Sequence, residues 1–118
     1  MQIQITIGDT VLLATPESNP SADAFLALLQ KQKLTVKMSD YAGMEKVGPL
    51  GTRLIRSDRP VRVGAGDVVL YQGNQITIYY GKNEWNFTKL AHIDGVTKEK
   101  MLEVLGRGNV EVEFSLVL

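Results

Sequence analysis

Side chains able to do covalent or metal chemistry are few in this chain. It has no cysteine and a single histidine, His92. Thiol catalysis, disulfides and thiolate or multi-histidine metal sites are therefore excluded, and a lone strand histidine reads first as structural. The carboxylates Glu45, Asp67 and Asp94 fall near the ends of strand-like runs. Nothing holds two of them at the separation glycoside hydrolysis requires, so they read as solvated turn residues. No serine occupies a nucleophile elbow, and Gly64 and Gly66 are not followed by the helix that a phosphate-binding loop needs. What remains suits recognition. Trp85 and Phe87 stand in the otherwise polar stretch 82–88, where aromatics either wall a ligand groove or fold back over one end of a core. Tyr79 and Tyr80 are neighbours and point to opposite faces of a strand, which leaves one for the core and the outward one as a binding aromatic.

The elements that must position these groups are mostly strands. Residues 66–81 form two apolar runs around Gly73-Asn74, a pair suited to a two-residue reverse turn that sets Tyr71 opposite Ile76 and Val69 opposite Ile78. At the start of the chain Ile3, Ile5 and Ile7 alternate with polar residues, and Gly8-Asp9 turns the chain so that Leu12 falls opposite Ile5. Asn19-Pro20 predicts an N-cap and first helical residue. Behind them Asp23 suits the helix dipole, and Ala22, Phe25, Leu28 and Leu29 make one apolar stripe. Alternation returns at 33–39. The next segment predicts two short strands, 45–47 and 53–56, then a turn-rich stretch through Arg59, Pro60 and Gly64. Residues 82–88 are expected as a surface loop and 90–93 as a strand. A second helix capped by Thr97 carries Met101, Val104 and Leu105 and stops at Gly106. The terminal strand alternates Val110, Val112, Phe114, Leu116 and Leu118 with Glu111, Glu113, Ser115 and Val117.

A chain of 118 residues is expected to hold one domain. Thirteen basic and thirteen acidic residues cancel, so neither the basic footprint of a nucleic-acid binder nor a polybasic membrane patch is present. The absence of cysteine, of a signal peptide and of a bilayer-length apolar run gives the expectation of a soluble, cytoplasmic protein. About eight strands and two helices, with strands at both ends, favour a closed or nearly closed β-barrel, since closure removes the long apolar edges. An open two-layer α+β sandwich is the alternative.

The order of elements resembles the cyclophilin barrel, and more closely the small bacterial and archaeal cyclophilin-like proteins. The stretch Pro20-Ser21-Ala22-Asp23-Ala24-Phe25-Leu26-Ala27-Leu28 is similar to the cyclophilin helix, one residue shorter. Asp40-Tyr41-x-Gly43-x-Glu45-Lys46, Gly66-Asp67-x-x-x-Tyr71-x-Gly73-Asn74 and Leu90-Ala91-His92-Ile93-Asp94 resemble recurring segments of the small family. Catalytic cyclophilins lower the barrier of about 18–20 kcal/mol set by amide resonance. They hold proline in an apolar pocket while an arginine hydrogen-bonds the peptide. The resemblance carries that arginine onto Arg53, in Thr52-Arg53-Leu54-Ile55, and the family's tryptophan and histidine onto Trp85 and His92 at altered spacing. The continuation Arg56-Ser57-Asp58-Arg59 supplies neither the aromatic floor nor the glutamine of the enzymes, and an arginine on a short strand also reads as an ordinary surface charge. The expected function is a noncatalytic binding module for a small molecule or extended peptide, drawing on Arg53, Tyr79, Trp85, Phe87 and His92, with no metal or cofactor. The alternatives are a weak peptidyl-prolyl isomerase using Arg53, and a structural subunit whose apolar outer faces, such as Val68, Leu70 and Tyr79, are hidden by self-association.

Overall fold

A computed structural model describes residues 1–117; Leu118, the last position of the terminal alternation, lies outside them. The elements run β1 (Gln2–Ile7), β2 (Thr10–Pro16), α1 (Pro20–Lys31), β3 (Leu34–Tyr41), β4 (Glu45–Pro49), β5 (Arg59–Val63), β6 (Asp67–Tyr71), β7 (Gln75–Tyr79), β8 (Asn83–Ile93), α2 (Lys98–Leu105) and β9 (Val110–Val117). Eight strands are neighbours in the order β2-β1-β9-β3-β4-β7-β6-β8, and pairing of β2 with β8 from Ala14–Ile93 to Pro16–Ala91 brings this ring nearly to closure. The ninth strand, β5, pairs only with the first half of β8. Mainly-β architecture, two helices and a nearly closed ring are what the pattern of alternations predicts.

Local chemistry explains the elements that match. Ile5 lies opposite Leu12 in the first hairpin. Asn19 caps α1 by accepting the Ala22 N–H at 2.8 Å, with Pro20 at the first position. Thr97 accepts the Lys100 N–H at 3.1 Å at the start of α2. Inside the ring Ile3, Ile5, Val36, Val68, Ile78 and Phe114 join one core with Phe25 and Leu29 of α1 and Met101 and Leu105 of α2. Phe25 meets Phe114 edge-on at 5.8 Å, a geometry that places positive ring edge on negative ring face.

Three expectations are corrected. The central hairpin turns on three residues rather than two: Tyr71 pairs with Gln75, Leu70 with Ile76 and Val69 with Thr77, while Gln72 and Gly73 take φ of 56° and 78°. The extra left-handed residue moves the register by one, so the interior receives the aliphatics Val68, Leu70, Ile76 and Ile78 and the outer face keeps Tyr71 and Tyr79. Val68 and Leu70 are consequently core residues, not an outer face open to self-association. Second, residues 53–56 form no strand, and the strand of this region is β5, paired with the stretch 83–87 that reads as a loop. Both partners are polar, one carries Pro60, and the pair is tied by Arg62 and Glu84; proline is tolerated because β5 is an edge. Third, Tyr79 and Tyr80 are both buried. Tyr80 belongs to the main core, whereas Tyr79 belongs to a second cluster with Val63, Val69 and Phe87 on the other side of the sheet.

The irregular segment 50–58 is fastened along its length. Leu50 and Leu54 donate backbone N–H groups to Asn74 and Gly73 at 2.9 and 2.8 Å. Ser21 reaches the Ile55 carbonyl at 2.5 Å and the Ser57 hydroxyl at 2.7 Å. The buried Thr88 hydroxyl accepts from the Ser57 N–H and donates to Asp58. Among the described residues no helix is long and apolar enough to cross a membrane.

Passage of β4 beside β3 depends on Gly48. A Cβ there would lie 2.4 Å from the Lys37 carbonyl oxygen and 2.7 Å from a Val36 methyl. Backbone cannot yield as a flexible side chain can, so Gly48→Ala is expected to lower stability by about 1–3 kcal/mol. Urea denaturation of the two proteins checks this; an unchanged midpoint would show that the two strands separate freely.

Candidate functional site

Antiparallel register gathers one set of side chains on the outer face of β4, β7 and β6. Glu45 lies directly opposite Tyr79, and Val47 opposite Thr77; Tyr71 lies opposite Gln75. Directly opposed residues share a face. The first half of β8 leaves the ring to pair with β5 and brings Phe87 over this face, its ring 6.0 Å from that of Tyr79 and 6.5 Å from that of Tyr71. Trp85 and Asn83 follow on the same strand, and Tyr41 and Met44 approach from the turn between β3 and β4. Together they border an open groove of about 470 Å³, within the range of small-molecule sites.

The walls are aromatic and the single charged group among them is Glu45. This residue is 8% exposed, and its Oε2 has no hydrogen-bond partner among the described residues. Burial raises its carboxyl above the ordinary 4.5; the neighbouring Tyr79 hydroxyl opposes that shift and the Asp40 charge adds to it. Burial likewise pushes the Tyr79 hydroxyl upward, against the effect of Asn83, whose Nδ2 donates to it at 3.4 Å.

The next residue along faces the other way. Lys46 is fully buried, donates to the Gly108 carbonyl at 2.6 Å, stands 3.4 Å from Asp40 and lies 6.0 Å from the centre of the Tyr80 ring. Tyr80 donates its hydroxyl to Asp40. That bond first, and Lys46 after it, hold the Asp40 carboxyl below its usual value against the opposing effect of burial. Burial, reinforced by Asp40, pushes the Tyr80 hydroxyl up to about 12.

Of the five residues singled out from the sequence, Tyr79, Trp85 and Phe87 border the groove. Trp85 is 67% exposed and Phe87 is buried. Arg53 and His92 do not border it. The Arg53 Nη1 donates to the Gln72 carbonyl at 3.0 Å and packs on the central turn. His92 places Nδ1 2.8 Å from Asp67 Oδ1, and Asp67 also accepts the Gly64 N–H at 2.8 Å. Asp67 and Glu45 are buried rather than solvated, while Asp94 is exposed and accepts from Gln2 and Thr15. Tyr71 and Met44 escaped the sequence reading because their place in the groove follows from the shifted hairpin register and from the covering half of β8. Among the described residues no three carboxylate or imidazole groups gather as a metal site requires.

The chain folds as a nearly closed eight-strand ring with an aromatic groove on its outer face. The profile of the cyclophilin-like family matches residues 5–115, and the chain belongs to that family. Neither a curated protein nor a solved structure matches it significantly.

Because the folded protein holds the Glu45 proton more readily than the unfolded chain, this group stabilises the fold most below pH 4.5 and loses that contribution as pH rises through its raised folded value. Glu45→Gln is therefore expected to be more stable than the wild type at pH 7, by about 1 kcal/mol, with the gap narrowing towards pH 4. Thermal melts at the two pH values check both halves; a variant less stable at pH 7 would mean that the carboxylate is well partnered.

Proposed function

We propose that the protein is a binding module that holds a small molecule or an extended peptide in the groove between the outer face of β7 and the half of β8 that pairs with β5. The observation that carries this reading is the exposure of Trp85 at the lip of a groove whose aromatic walls include Tyr79 and Phe87, packed against one another. Exposed indole beside a preformed apolar floor is favourable for binding, since the side chain is wide and has few rotamers to lose.

The isomerase alternative asks Arg53 to reach a bound peptide. Its guanidinium is instead engaged with the Gln72 carbonyl, and no arginine borders the groove. Arg56, Arg59 and Arg62 line adjoining pockets that share Trp85, but Arg56 is paired with Asp58 and Arg62 with Glu84. A groove lined without a guanidinium favours recognition without amide-bond rotation.

Trp85 is the sole tryptophan, so its emission reports occupancy directly. Titration of a fragment library and of proline-containing peptides is expected to give ligands that shift this emission. Trp85→Ala should weaken them by about ten-fold without lowering the melting temperature, and Arg53→Ala should leave their affinity unchanged. Ligands that ignore Trp85, or that need Arg53, would overturn the reading.

A further inference from the structure

We infer that the groove selects a cation: an ammonium or guanidinium group carried on an apolar or aromatic body, seated against Glu45. This deepens the binding-module reading and rests on it. Three observations converge. Glu45 is more than nine-tenths buried, borders the groove and leaves Oε2 without a partner. A buried carboxylate oxygen with no donor is costly, and a ligand cation in the groove that Glu45 borders would offset that cost through its charge.

The rest of the lining favours the same sign of charge. Tyr41, Tyr71, Tyr79, Trp85 and Phe87 supply five aromatic rings, whose faces are electronegative and attract cations within about 6 Å. No lysine or arginine borders the groove to receive an anion. The nearest basic residue in sequence, Lys46, points into the ring and is engaged with Gly108 and Asp40. An anionic ligand would be repelled by the Glu45 carboxylate, since the arginines near Trp85 line the adjoining pockets and two of them are paired with Asp58 and Glu84, whereas a neutral one would bring no charge to set against it.

Three probes of one shape separate the possibilities: phenethylammonium, phenethyl alcohol and 3-phenylpropionate, titrated while Trp85 emission and backbone amide shifts are followed. The ammonium is expected to bind roughly ten-fold more tightly than the alcohol, with the carboxylate weakest. In Glu45→Gln the ammonium should fall to the level of the alcohol, and the alcohol should bind as it does to the wild type. If the alcohol or the carboxylate binds the wild type as tightly as the ammonium, with shifts in the groove, the cation inference fails and the binding-module reading stands. If none of the three moves Trp85 or the amides of β4, β7 and β8, both fall. An ammonium preference that survives Glu45→Gln would also overturn the assignment to this carboxylate.

Discussion

One strand belongs to two sheets, and the architecture depends on it. The last residues of β8 pair with β2 and β6 and bring the ring nearly to closure, while its first five pair with β5 alone. The register with β6 slips between Val68 and Val69, a bulge that lets one strand bend between two sheets. Asp67 sits at the start of this stretch, accepting the Gly64 N–H and lying 3.6 Å from the Lys89 ammonium and 2.8 Å from His92 Nδ1. It ties the turn before β6 to the strand that bends. Without the departure of β8 from the ring, the outer faces of β6 and β7 would be open to water. With it, Val69, Tyr79 and Phe87 find a core of their own and the remaining space becomes a groove.

That division explains why the two faces of β7 differ. Ile76 and Ile78 look into a closed interior with no polar demand, so aliphatic side chains suffice. Tyr79 looks into a half-covered space where its ring packs on Phe87 and its hydroxyl meets Asn83. A tyrosine suits such a boundary, apolar in body and polar at the tip.

Much of the ring was legible in the sequence because period-two alternation is a local signal: β1, β3 and β9 show it plainly, and the caps Asn19 and Thr97 mark their helices by chemistry alone. The site was legible only in its aromatics. Trp85 and Phe87 stand out in a polar stretch, but that stretch is itself a strand, and its partner Arg59–Val63 is a polar edge with a proline. The alternation of Trp85 and Phe87 with Glu84 and Asn86 is too short to mark a strand and serves a small outer cluster rather than the main core, so the pairing of this stretch is a fact of tertiary structure. The hairpin register failed for a related reason. Nothing local to Gly73-Asn74 states that Gln72 also enters the left-handed region; the preference of the closed interior for Val68 and Leu70 over Val69 and Tyr71 decides it. Once that register is set, Glu45 is brought opposite Tyr79 by pairing of β4 with β7, information no single stretch contains.

Glu45 and Lys46 are adjacent, oppositely charged and both buried, yet they do not pair, because successive residues of a strand face opposite ways. Each must therefore be satisfied by its own surroundings. Lys46 is: a carbonyl, a carboxylate and an aromatic ring surround it, and the arrangement locks the loop before β9 to the β3–β4 hairpin. Glu45 is not, and the polar group beside it, the Tyr79 hydroxyl, only partly counters the effect of burial. Two buried charges of equal size, one fully provided for and one with an unpartnered oxygen in a residue that borders a groove, are hard to explain by folding alone, since a neutral side chain at position 45 would pack with less penalty. Sites that sacrifice stability in this way are characteristically those that meet a ligand, and on the binding proposal the sign of the unpartnered charge sets what that ligand would bring.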